Sequence, residues 1–186
     1  MPMDKRMPYE FDIRVPLIVR GPGVAQGRIR QEMVLNIDLA PTFLHLAGVQ
    51  VPKTMDGRSL APLLFEGGKR HEQERKNWRA HFLVEYWGEG RGGIPAECSS
   101  LRGQGVAQCH PSCICEDATN NTYACVRDTD GLYCEFKDSE HFVEAYDLRK
   151  DPYQLRNRHR SLSDRQKKHK RKLLQKLSRC SSQTCP

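Results

Sequence analysis

The chain of 186 residues has no apolar run long enough to cross a membrane or to act as a secretory leader. Its first apolar stretch, Val15 to Val19, falls well short of the roughly 20 residues of a span and of the core of a leader. It also has no Gly-rich phosphate loop, no internal repeat and no heptad array, which removes loop-type nucleotide enzymes, solenoids and coiled coils. Nor is there a Cys-x-x-Cys pair or a second knuckle with His. Cys109, His110, Cys113 and Cys115 are all ligand types, but they lack the usual spacing of a structural zinc site. The mean hydropathy of −0.70 is polar for a globular protein, yet 38% hydrophobic residues still allow a modest core, in one ordinary domain or two small ones.

What is present points to an oxidising compartment. Six of the eight cysteines, Cys98, Cys109, Cys113, Cys115, Cys125 and Cys134, fall between residues 98 and 134, and Cys180 and Cys185 close the chain. An even, clustered set reads as disulfides, with Cys180 and Cys185 placed for a local bridge. The sequon Asn120-Asn121-Thr122 makes Asn120 a glycosylation candidate and points to the same compartment. Secretory features without a leader predict that Met1 is an internal methionine of a longer protein.

The net charge of +7 is unevenly placed. Residues 156–179 hold eleven of the 30 Lys and Arg but one of the 23 acids, Asp164, so this tail carries +10 and the remainder −3. Such a tail could meet a phosphate backbone or a sulfated glycan, but no base-stacking pattern or recognition helix accompanies it. The plainer reading is a solvated helix face.

Along the chain, VPLIV followed by Gly21-Pro22-Gly23 predicts a short strand buried in a parallel sheet. NIDLAPTFLHLAGV predicts a helix with Asp38 as cap, Pro41 early and Gly48 as a left-handed stop, its shared face being Leu39, Phe43, Leu46 and Ala47. His45 on that helix has no titratable neighbour at helical spacing and reads as a packed or partly exposed histidine. A turn at Asp56-Gly57 and a polar connector over 66–79 follow. The periodicity then changes to two. HFLVEYW (81–87), TYACVR (122–127), LYCEFK (132–137) and FVEAYDL (142–148) predict four antiparallel strands, with a hairpin at Asp130-Gly131. Ser163 or Asp164 then caps a basic helix with a narrow apolar face of Leu173, Leu174 and Leu177.

Several of these stretches, in this order, resemble the sulfatase family. DKRMPYEFDIRVPLIVRGPG is similar to its Lys-x-x-x-Tyr-Glu-x-x-x-Arg-x-Pro segment, with Lys5, Tyr9, Glu10, Arg14 and Pro16 in the matching positions. IDLAPTFLHLAGVQVPKTMDGRSLAPLL resembles the helix and turn that follow it. EAYDLRKDPYQLRN resembles the family's Tyr-Asp-Leu-x-x-Asp-Pro-x-x-x-x-Asn strand and turn. LVEYWGEGR, CICEDATNNTYACVR and CSSQTCP are similar to the branch acting on the 6-sulfate of N-acetylglucosamine in heparan and keratan sulfate.

The resemblance implies an α/β chain, the C-terminal fragment of the alkaline-phosphatase-like sulfatase fold, ending in a small α+β domain with a four-stranded antiparallel sheet. Residues 1–65 would end the catalytic domain and 66–79 would connect. Residues 80–155 would form the sheet domain with its Cys-rich insertion at 98–134, and 156–186 the basic helix and last Cys pair. Lys5 would contact the substrate sulfate, its ammonium offsetting charge on the sulfate oxygens and the leaving alkoxide. Calcium and formylglycine would be the cofactors, with their ligands and the Cys-x-Pro-x-Arg nucleophile upstream, so that this chain alone is expected to be inactive. CSSLRG, from Cys98 to Gly103, approximates that nucleophile motif but lies on the wrong side of Lys5, with Ser100 in place of proline. The expected partner is a sulfated glycosaminoglycan and not nucleic acid, the expected location lysosomal or secreted. Two other readings are a non-catalytic secreted module binding glycosaminoglycan through 156–179, and an intracellular nucleic-acid binder with free or zinc-bound cysteines.

Overall fold

The computed structural model describes residues 6–87, 121–182 and 185. Lys5, Cys98, Cys109, Cys113, Cys115 and Asn120 lie outside the described residues. The chain divides into two compact units, one of Met1–Val15 with Leu83–Arg171, the other of Pro16–Phe82 with Lys172–Pro186. No helix among the described residues is long and apolar enough to cross a membrane.

The first unit is built on the four-stranded antiparallel sheet that the two-residue alternation predicts. β1 (His81–Trp87), β2 (Thr122–Asp128), β3 (Gly131–Phe136) and β4 (Val143–Asp147) lie in sequence order. The β2–β3 hairpin turns where Asp128 Oδ1 accepts the amide of Asp130 at 3.1 Å. Its register sets Cys125 opposite Cys134, and the two are joined by a disulfide. On that face Tyr123, Cys125, Leu132, Cys134 and Tyr146 are buried, with Tyr9, Val84, Tyr86, Phe136 and Leu148 packed on them. The opposite face is buried as well: Val126 and Tyr133 are 0% and 1% exposed. This is why β2 is closed to solvent over four consecutive residues instead of alternating.

The basic helix α5 (Asp164–Leu177) begins with a capping box. Ser163 N donates to Gln166 Oε1 at 2.9 Å and Gln166 N to Ser163 Oγ at 3.3 Å. Part of the cationic tail is tied to the sheet. Lys170 pairs with Asp128, Arg171 Nε donates to Glu135 Oε1 at 2.9 Å, and Arg158 Nη1 donates to Asp147 Oδ2 at 2.9 Å. The Tyr133 hydroxyl donates to the same Glu135 oxygen, and burial pushes its ionisation far above the ordinary range.

The second unit is organised by one carboxylate. Asp38 ends a 3-10 turn, Asn36–Asp38, directly before α2 (Leu39–Leu46), and is 0% exposed. Its Oδ2 accepts Leu35 N at 2.8 Å and Arg79 Nη1 at 2.6 Å, while its Oδ1 accepts Arg58 N at 2.8 Å and Arg79 Nη2 at 2.7 Å. The expected cap of α2 is absent, because the Asp38 carboxylate accepts none of the first-turn amides of that helix; it instead closes the preceding 3-10 turn through Leu35 N and binds a buried guanidinium. Gly57 makes this possible, because a Cβ there would lie 2.0 Å from the Ile37 carbonyl oxygen. Thr42 Oγ1 accepts Leu60 N at 2.8 Å, next to α3 (Ala61–Leu64). The segment 66–79 is not simply a loop, since it carries α4 (Lys69–Lys76).

Two further expectations need correction. The buried face of α2 is Pro41 and Thr42, whereas Phe43 and Leu46 are exposed, because the helix is drawn inward through Asp38 and the Thr42 hydroxyl. Val15 to Val19 forms no strand, and Ile18 is 91% exposed. A strand needs neighbours to take its amides, and no described segment pairs with it. Leu17, Ile18 and Val19 instead border an open, largely apolar hollow of about 1080 Å³ that Val24, Leu60 and Leu63 also line. His45 is exposed, its Nδ1 2.8 Å from Ser59 Oγ, a surface contact in line with the plain reading. Cys180 and Cys185 form the expected local disulfide.

Candidate active-site segment

The segment that follows Lys5 packs on the cysteine face of the sheet in the first unit. Tyr9 opens a single helical turn, α1 (Glu10–Ile13), and the carboxylate of Asp12 turns back to accept Met7 N at 3.0 Å. Four side chains of the sheet and its last turn then fix the segment. The Arg6 carbonyl, adjacent to Lys5, accepts the Tyr123 hydroxyl at 3.0 Å. The Tyr9 hydroxyl donates to Glu144 Oε1 at 3.2 Å. Arg127, at the end of β2, grips the Glu10 carboxylate with two bonds of 2.7 and 3.1 Å, both side chains largely buried. Such a fork fixes direction as well as distance. The fourth contact is from Gln154, whose Oε1 accepts Glu10 N at 2.6 Å.

The Tyr-Asp-Leu-x-x-Asp-Pro-x-x-x-x-Asn stretch builds the turn that carries Gln154. Asp151 accepts Leu155 N at 3.0 Å and Arg156 N at 2.9 Å, and these amide bonds, that of Leu155 first, hold its carboxyl below the ordinary range. Asn157 holds the edge strand β4, accepting Ala145 N at 3.1 Å and donating to the Val143 carbonyl at 2.9 Å. Asp151 and Asn157 of the motif thus act on the backbone, while its Asp147 accepts the Arg158 guanidinium.

Burial raises the carboxyl of Glu144 above its ordinary value, and the bond from Tyr9 offsets this in part. Burial, followed by the charge of Glu144, raises the ionisation of Tyr9 and Tyr146, whose rings meet edge-on at 6.2 Å. A carboxyl whose folded-state pKa is raised is buried without penalty while protonated, and costs stability as pH rises through that value. Glu144→Gln should therefore stabilise the protein near neutral pH, with the gain shrinking as pH falls from that raised value to the ordinary carboxyl value and absent below it. Urea denaturation of both proteins across that interval checks this, and an equal gain at all pH values would contradict it.

No group of three or more His, Cys, Asp or Glu among the described residues could hold a metal ion. Sequence reasoning found Tyr9 and Glu10 but missed the residues that hold them. Glu144 had a readable signal, since a period of two places it beside Tyr146 on the core face of β4. Arg127 and Gln154 had none, because their partners lie 117 and 144 residues away.

Residues 2–94 match the family model described as N-sulphoglucosamine sulphohydrolase, C-terminal. The chain is 47% identical over 190 aligned residues to the N-acetylglucosamine-6-sulfatase of Capra hircus, covering 100% of the chain and 33% of that protein. It thus spans about a third of the length of that curated relative. Among solved structures, a 2-O glycosaminoglycan sulfatase superposes with a TM-score of 0.56 at 22% identity, over 86% of this chain and 28% of that one. A protein solved with its substrate D-glucosamine-2-N,6-O-disulfate superposes with a TM-score of 0.51 at 24% identity, over 75% and 23%. These likenesses place the chain in the alkaline-phosphatase-like sulfatase fold.

Proposed function

Because the chain belongs to the sulfatase family, we propose that it is the C-terminal part of a sulfuric ester hydrolase that removes the 6-sulfate of terminal N-acetylglucosamine in heparan and keratan sulfate. The observation that carries this reading is the 47% identity to N-acetylglucosamine-6-sulfatase over the whole chain. The pinned segment supports it physically. A residue meant to meet a sulfate repeatedly in one geometry needs a fixed backbone, and Arg6, next to Lys5, is held by Tyr123 while Glu10 is held by Arg127 and Gln154.

In this reading Lys5 contacts the sulfate, and its ammonium favours the charge that grows on the leaving oxygen. Formylglycine would supply the nucleophile and calcium would offset sulfate charge; their ligands are proposed to lie in upstream parts of the enzyme, leaving this chain alone inactive. The open apolar hollow that Leu17, Ile18 and Val19 border supports the idea that more of the catalytic sheet packs there. The disulfides Cys125–Cys134 and Cys180–Cys185 favour a lysosomal or secreted location.

The substrate is tested by sulfate release from the parent enzyme. Release is expected from a terminal 6-sulfated N-acetylglucosamine and not from a 2-O-sulfated uronic acid at equal concentration. Release from the 2-O-sulfated sugar alone would overturn the substrate, and release from neither would overturn the activity.

A further inference from the structure

Gln154 stands out because it is strained, buried and polar together. Its φ is +56°, a left-handed conformation that suits glycine or asparagine better than glutamine. It is 7% exposed, and its Nε2 has no hydrogen-bond partner among the described residues. A side chain selected for packing alone would avoid all three features. Among the described residues the one polar contact of the side chain is the 2.6 Å bond from Glu10 N, across 144 residues of sequence, to the segment that follows Lys5. Strain that persists at a turn already closed by Asp151 points to a use for the side chain and not for the backbone.

We propose that Gln154 is a positioning residue for sulfate hydrolysis. It fixes the backbone at Glu10 while Arg127 fixes the Glu10 carboxylate, and together they set where the preceding lysine meets the substrate. This rests on the reading of Lys5 as the sulfate contact. Amide and guanidinium act on different atoms of the same residue, so they stop both the sliding and the turning of α1. Loss of one would leave the segment attached but misplaced, and a displacement of this kind costs turnover more than affinity.

The test uses Gln154→Gly and Gln154→Asn in the parent enzyme. Glycine relieves the left-handed strain, and asparagine tolerates it with a side chain one methylene too short to reach Glu10 N. A merely structural Gln154 predicts near-normal turnover in both. The positioning role predicts that kcat falls by about 10- to 100-fold, with KM little changed and the melting temperature close to that of the unaltered enzyme. In a Lys5→Ala background the same substitutions should cause little further loss, because the group they position is gone. Full turnover in both Gln154 variants, or losses that add to those of Lys5→Ala, would overturn the inference. Full turnover in Lys5→Ala itself would instead remove the reading on which it rests.

Discussion

Asp38→Ala is expected to destabilise the protein by about 3–5 kcal/mol, the scale for removing one partner of a buried ion pair. The substitution strands the Arg79 guanidinium, whose side chain is 5% exposed, and leaves the amides of Leu35 and Arg58 without their acceptor. The loss comes mainly from the abandoned groups and not from the intrinsic worth of the pair. Replacing both partners by apolar residues of similar size, Asp38→Leu with Arg79→Met, should therefore cost less than the two single changes together. Urea denaturation of the two singles and the double gives the coupling. Simple additivity would show that Asp38 and Arg79 do not act as a unit.

The same residue shows how far the sequence could be read. Asp38 before an apolar helix announces a cap, but its carboxylate turns away from the amides of α2 to Leu35 N, Arg58 N and Arg79. Nothing local announces Arg79, 41 residues on, because a buried guanidinium has no sequence signature until its partner is known. The four strands were legible since alternation is a property of a few consecutive residues, and Asp130-Gly131 marked the β2–β3 turn one residue late, since the loop is Thr129 and Asp130 and Gly131 opens β3. Val15 to Val19 misled for the converse reason. Its composition suits a buried strand, but a strand is made by its neighbours, and none of the described residues supplies one. At the candidate site Tyr9 and Glu10 were visible through the family pattern. The braces were not, because Arg127 looks like the polar end of a strand and Gln154 like an ordinary turn residue. The basic tail was read as a solvated face, whereas Lys170 and Arg171 are partly spent on Asp128 and Glu135 of the sheet.

The second large effect concerns Lys5. A group that stabilises charge developing only in the transition state should change kcat far more than KM or folding stability. Removal of one such donor typically costs about 10²–10³-fold in turnover. Since Arg6 to Glu10 is held by Tyr123, Glu144, Arg127 and Gln154, truncating the neighbouring lysine should leave the anchored backbone in place. The decisive measurement is kcat for sulfate release from a terminal 6-sulfated N-acetylglucosamine by the parent enzyme and by its Lys5→Ala variant, with the melting temperature of each. A fall in kcat of about 10²–10³-fold at an unchanged melting temperature is the predicted result. An unimpaired Lys5→Ala enzyme would show that the pinned segment does not bring a sulfate contact to the active site.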